Sequence, residues 1–243
     1  MTRKKGWFPW WRVHRARAWA HALVSTRERE AQRLTRVNWE HIRDMELIMA
    51  SVLRRTSNCV DAGCHGGSML RRMLRVAPEG QHVAVEPIPH LAEALQQKFP
   101  TVTVHEAALS DRAGTADFDI IDDDLALSGF GRKSIAAGKM RSRTISVRTV
   151  RLDDLLSPEL PVHLVKIDVE GAELPVLEGA VQTLKRWKPH VLLEHGSGPS
   201  DDAIYELLEG CGLALFTVGG RGPLDRDTFG RDPDSWDYLA RPW

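Results

Sequence analysis

The sequence predicts an α/β protein built on an open, mainly parallel sheet with helices on both faces. Three observations lead there. Short apolar runs of strand length alternate with amphipathic helical stretches from residue 58 to residue 220. Glycine clusters after the first run, in "VDAGCHGGSML" (60–70). Acids stand where four of the runs end, at Asp61, Glu86, Asp168 and Glu194. Sheets of this kind bind ligands in the crevice beyond the carboxyl ends of their strands.

A basic, tryptophan-rich extension (1–37) precedes a domain over 38–243. The chain balances 33 basic against 33 acidic residues, yet residues 1–55 hold 13 Lys+Arg against 5 Asp+Glu. Trp7, Phe8, Trp10, Trp11 and Trp19 among arginines predict a helix packed on the domain or on a partner subunit, or a contact with an anionic membrane surface. A module that docks single-stranded nucleic acid by stacking and charge is the competing function for this segment. The acidic remainder makes a poor track for a phosphate backbone, so no nucleic acid is expected as partner. No apolar run approaches the roughly 18 residues of a membrane span, and the basic N-terminus lacks the apolar centre of a secretion signal. Cys59, Cys64 and Cys211 are scattered without metal-ligand pairing, which fits a reducing cytoplasm.

Asn38 predicts a cap for the helix "WEHIRDMELIMASVL", in which Trp39, Ile42, Met45, Met49 and Val52 share a face. Then come strand 58–63, helix 68–77 closed by "PEG", strand 82–87 and helix 89–99 with Pro89 in its first turn. One strand is expected over 101–109. "GTADFDII" and "TISVRTVRL" alternate like strands around a glycine-rich charged segment, 122–143. Connections of that length are functional or disordered, so Ser128, Gly129 and Phe130 are candidate lid or acceptor contacts, with a surface insertion as the alternative. Regularity resumes with strand 162–169, a single helix 173–187, strand 190–196, helix 201–212, strand 213–220 and a last strand 235–241.

The chemistry concentrates at the strand ends. Asp61 leads into Gly63, Gly66 and Gly67, a G-x-x-G-G spacing. A turn that cradles pyrophosphate presents amide N–H groups to negative charge, and a carboxylate there would repel it. Asp61 suits an ammonium group instead, which argues against a nicotinamide-dependent oxidoreductase, the competing enzyme reading. Glu86, at the tip of "VAVE", can accept both hydroxyls of a ribose. Ala107 and Ala108 are small enough to let a base lie flat. Glu170 and Glu173 open the next helix and suit its dipole, whereas Asp168 lies over the crevice.

"VDAGCHGG", "VAVEP", "EAALSDRAG", "TVRLDDLL" and "VKIDVEGAELPVLEGA", in this order, resemble the FkbM family of S-adenosylmethionine-dependent methyltransferases. The likeness runs from Asn58 to Gly196. The family's first turn reads D-x-G-A-N-x-G, whereas this chain has Cys64 and His65 at the Ala and Asn positions. The resemblance implies a class I methyltransferase (Rossmann-like) fold, with a seven-stranded sheet ending in an antiparallel strand. It also implies O-methylation of a hydroxylated small molecule, often a sugar or natural product. Carried over, Asp61, Gly63, His65 and Gly67 would hold the methionine end of the cofactor. Glu86 would take the ribose, Ala107 and Ala108 would border the adenine, and Asp168 would face the methyl. The sulfonium already activates that methyl, so the protein must align a hydroxyl and accept its proton. Asp168, Glu194 and His195 are the candidate bases, and Asp168 with Glu194 also offers oxygens to a hard cation such as magnesium.

Overall fold

The computed structural model describes residues 33–131, 140–232 and 234–243. The aromatic cluster Trp7–Trp19 and most of the extension lie outside the described residues. The chain separates at Arg43/Asp44 into two units. Of the first, the described part is helical, and the helix α1 covers residues 33–52. Asn38 therefore sits inside α1 and does not cap it, because helix-favouring residues continue on its N-terminal side. Met45, Met49 and Leu53 form the buried line, four residues apart, while Trp39 is 65% exposed.

The second unit alternates as expected through its first half. β1 (Cys59–Ala62), α2 (Ser68–Val76), β2 (Val83–Glu86), α3 (Pro89–Lys98) and β3 (Thr103–Glu106) follow one another. The expected strand over 101–109 then divides. β3 pairs with β2, but β4 (Ala108–Leu109) joins a second sheet with β5 (Gly114–Ile121) and β6 (Ser142–Val150). β5 and β6 form a long antiparallel ladder from Gly114↔Thr149 to Ile121↔Ser142. Ile88, Ala108, Phe118, Ile120 and Val147 make the apolar cluster of this sheet.

Beyond it come α4 (Leu152–Leu155), β7 (Leu164–Ile167), α5 (Glu173–Glu178), α6 (Val181–Trp187), β8 (His190–Glu194), α7 (Asp201–Gly210), β9 (Leu213–Thr217) and β10 (Asp237–Pro242). The helix expected over 173–187 is broken in two at Gly179–Ala180. A Cβ on Gly179 would stand 2.0 Å from the Ser110 carbonyl, so the chain there follows a close backbone approach and not the helical period. α4 begins at Leu152, the last residue of the run "TISVRTVRL" that alternates like a strand.

The main sheet has the order β3-β2-β1-β7-β8-β10-β9. All neighbours are parallel except β10, which runs antiparallel to β8 and β9. This is the seven-stranded class I arrangement that the resemblance implies. Side chains alternate across it. Val60, Ala62, Val83, Val85, Val165 and Ile167 face one core, with Val176, Leu177, Leu184 and Ile204 from α5, α6 and α7. Ala84 faces the other, with Leu70 of α2 and Leu95 of α3. The strand order reverses between β1 and β7, which puts the crevice where the candidate acids lie.

Candidate functional site

The β1–α2 turn resolves why glycine gathers there. Gly63 has φ 77°, and a Cβ on it would lie 1.8 Å from the Asp168 carbonyl. Gly67, at φ 73°, packs on Phe99 and Leu95 of α3. Both are required by packing. Gly66 is different: nothing lies within 4 Å of its would-be Cβ, so the backbone is open to an approaching ligand. His65 takes a left-handed conformation, φ 45°, which Asn and His adopt more readily than other side-chain-bearing residues. The exchange of the family's Asn for His is therefore compatible with the turn. The Nζ of Lys98 ties the turn down by donating to the Gly66 carbonyl at 2.7 Å.

Asp61 is 1% exposed, one residue before the end of β1. Its Oδ2 has no hydrogen-bond partner among the described residues. Burial pushes its carboxyl up to about 7, opposed by Lys166 and reinforced by Asp168 and Glu86. An unpartnered, buried carboxylate oxygen beside open backbone is the feature an ammonium group would satisfy.

Glu86, the last residue of β2, is equally committed to this crevice. Its Oε2 accepts from the backbone N–H of His65 at 2.8 Å, and its Oε1 from that of Ile88 at 3.0 Å. Burial raises its carboxyl above the ordinary value, while the two N–H groups favour the charged form. Ala107 and Ala108 are buried next to it, where the chain passes between the sheets, and the Ala107 N–H donates to the Glu86 carbonyl at 3.3 Å. Asp61, Gly63, His65, Gly67, Glu86, Ala107 and Ala108 thus gather at the ends of β1, β2 and β3.

Asp168, Glu194 and His195 gather one step across the sheet. With Glu170, Gly171, Glu173, residues 196–200 and Trp236, they line a cleft of about 490 Å³. Asp168 follows β7 directly, and its N–H donates to the Ala62 carbonyl at 3.1 Å. Burial raises the Glu194 carboxyl to about 8, with Asp168 and Asp237 adding to the shift and Lys166 opposing it.

Lys166 was not singled out from the sequence. It is 3% exposed, and its Nζ lies 3.5 Å from Asp168 Oδ2 and 3.8 Å from Glu194 Oε2. Burial disfavours its charge, but Asp168, Asp237, Glu194 and Asp61 together lift its pKa above the ordinary lysine value. A signal was present: central parallel strands read as continuous apolar runs, so a lysine inside "LVKI" needs a partner. Asp168, Glu170 and Glu194 bring one oxygen each within 4.8 Å of one another, the spacing expected for a hard cation. The positive charge that faces two of them is Lys166 itself.

His195 is held differently from a free base. Its Nε2 is 2.8 Å from Asp201 Oδ1, its Nδ1 faces Glu173 Oε2 at 3.6 Å, and its ring stacks on Phe229. Burial opposes its charge, yet Glu173 and Asp201 raise its pKa. His195, a candidate base in the sequence, is buried between α5 and α7, where Glu173 and Asp201 favour its charged form. Ser128, Gly129 and Phe130 also have structural partners. Ser128 Oγ accepts from Ile121 N–H, Gly129 and Asp119 exchange backbone hydrogen bonds, and Phe130 packs edge-on to Phe118. They are fastened to β5, and residues 132–139 of the expected lid lie outside the described residues.

Comparisons with known proteins bear on the family and the fold. The "Methyltransferase FkbM domain" model matches residues 61–213, more than half the chain. The 2-O-methyltransferase NoeI of Sinorhizobium fredii (strain NBRC 101917 / NGR234) is 30% identical over 166 residues, covering 60% of this chain and 65% of that protein. The crystal structure of methyltransferase FkbM from Methylobacillus flagellatus KT superposes with a TM-score of 0.52 at 16% identity, over 77% of this chain and 44% of that one. The chain thus spans less than two thirds of the length of either. The family match spans more than half the chain, and the motif order and sheet topology accord with it: the chain belongs to the FkbM family of methyltransferases.

Proposed function

We propose that the protein transfers a methyl group from S-adenosylmethionine to a hydroxyl of a small molecule, of the sugar or natural-product class. The observation that carries the reading is Asp61: a buried carboxylate oxygen without a partner, one strand from an acid-lined cleft. Asp61 would hold the methionine ammonium, Glu86 the ribose hydroxyls, and Ala107 and Ala108 the edge of the base. When bound, the cofactor supplies a methyl group already activated by its sulfonium. A relative named as a 2-O-methyltransferase supports oxygen as the acceptor atom.

In the cleft, Glu194 is the group assigned to proton removal, with Asp168 beside it to orient the hydroxyl. Glu194 would take the proton of the acceptor hydroxyl as that oxygen receives the methyl group the cofactor supplies. A base whose pKa lies near the working pH is the effective one, and Glu194 is raised to about 8. His195 is left out of this step because Asp201 binds its Nε2 and Glu173 faces its Nδ1. A divalent cation is left out because Lys166 stands against Asp168 and Glu194.

The test is incubation with methyl-labelled S-adenosylmethionine over a panel of hydroxylated acceptors between pH 6 and 9. Label should enter a methyl ether, and the rate should rise through about pH 8 as Glu194 loses its proton. Asp168→Ala and Glu194→Gln should lower turnover about a hundredfold or more with cofactor binding retained. Chelation should leave turnover unchanged. Label on nitrogen or carbon, full activity in both variants, or a requirement for added metal would contradict the assignment.

A further inference from the structure

Lys166 stands in a row of charges that crosses four adjacent strands. Val165 and Ile167 face the core of α5, α6 and α7, so Lys166 between them faces the other side of the sheet. Asp61 is its register partner in the β1–β7 ladder. On β8, Val191 and Leu193 share the first core, which places Glu194 on the Lys166 side. On β10, Asp237 is paired with Glu194 in register, and its neighbour Tyr238 faces the first core. Asp61, Lys166, Glu194 and Asp237 therefore follow one another along one face in the order β1, β7, β8, β10. Asp168 reaches the same ammonium from beyond the strand end at 3.5 Å.

This face is buried at Asp61, Lys166 and Asp237. Three carboxylates with no positive charge between them would repel one another and shed their charge by taking up protons. One fixed ammonium in the middle of the row opposes that, and its reach spans both halves of the site. Asp61 lies at the donor turn, and Asp168 and Glu194 line the acceptor cleft.

Resting on the methyl-transfer reading, we propose that Lys166 is a positioning residue that acts through Asp61: its buried ammonium, beside Asp61 in register on the same face, favours the charged carboxylate that would meet the amino-acid end of the cofactor, while its contacts with Asp168 and Glu194 tie that end to the acceptor cleft. Lys166 does not touch the nucleoside half, whose contacts lie at Glu86, Ala107 and Ala108 on β2 and after β3. Its effect on binding is therefore confined to ligands that carry the amino-acid moiety.

Two ligands separate this role from a general packing role. S-adenosylhomocysteine carries the amino-acid end, and 5′-methylthioadenosine lacks it. Calorimetry on the full chain would compare both ligands for the unmodified protein, Lys166→Met and Lys166→Arg. Lys166→Met should weaken S-adenosylhomocysteine about tenfold and leave methylthioadenosine within about twofold, while Lys166→Arg restores most of the difference. Should Lys166→Met lose its folded circular-dichroism spectrum, the double variant Lys166→Met/Asp237→Asn removes one charge of each sign, and the same ligand-selective loss is expected of it. Equal weakening of both ligands, or no change in either, would overturn the proposal. Failure of the unmodified protein to bind either ligand would instead fell the methyl-transfer reading on which it stands.

Discussion

Asp61 is placed at a cost to the fold. Its carboxyl is raised to about 7 by burial, so the folded state resists its ionisation. The sign follows. Below the unfolded value near 3.8 the group is neutral in both states and costs nothing. As pH rises from there through about 7, the folded state is progressively penalised. Asp61→Asn should therefore raise the stability of the ligand-free protein at pH 8 by a few kcal/mol, at about 1.4 kcal/mol per pKa unit, and abolish detectable binding of S-adenosylhomocysteine. Thermal unfolding and calorimetry on the same sample check both halves. The glycines divide in a second way. Gly63→Ala would drive a Cβ to 1.8 Å from the Asp168 carbonyl and should cost about 3 kcal/mol or more. Gly66→Ala has open space and should cost under about 1 kcal/mol while weakening cofactor binding, which denaturant titration beside calorimetry can read. The strand-end acids and the glycine turn were legible in the sequence because each departs from its local pattern. Which glycine serves packing and which serves access was not, since that depends on α3 and on the end of β7.

At the scale of elements, the reading held where period and punctuation agree, as in α2 between Gly67 and Pro78 and in β2 before Pro87. It failed where a tertiary contact overrides the period: the break between α5 and α6 at Gly179, and the passage of the chain from β3 into β4. Lys166 and Asp237 also escaped, because their meaning comes from the register of strands far apart in sequence. The His195 cluster is the clearest case. Glu173 opens α5 and Asp201 opens α7, and the imidazole of β8's continuation lies between them. His195 is raised above 6.5, so its contribution is complete below that value and is lost as pH rises through its folded value. Glu173 is lowered below 4.5, so its contribution is present above that value and is lost as pH falls through its folded value. The cluster is thus strongest from about pH 4.5 to 6.5. His195→Gln should destabilise by about 3 kcal/mol in that window and by less at pH 9, measured as urea midpoints at the two pH values.

At the scale of the whole molecule, the reversal of strand order between β1 and β7 brings two groups of acids to one crevice. Under the proposed function one group would serve a positively charged, nucleoside-bearing donor, and the other would line the cleft for its acceptor. The seven strands and the closing antiparallel strand were legible through the family resemblance, while alternation alone gave the class; the strand order was legible through neither. The second sheet, β4-β6-β5, was legible as strands but not as a separate layer, because its cluster draws Ile88 and Ala108 from the first half of the chain. The same view predicts ligand-linked stability: S-adenosylhomocysteine at a hundred times its dissociation constant should add about 2.7 kcal/mol to unfolding, seen as a rise in Tm. The most direct measurement is calorimetric titration of S-adenosylhomocysteine into the folded full chain beside Glu86→Gln. One-to-one binding, weakened about tenfold or more by the substitution, is the outcome this account predicts. No binding heat from folded protein, or an affinity indifferent to Glu86, would contradict it.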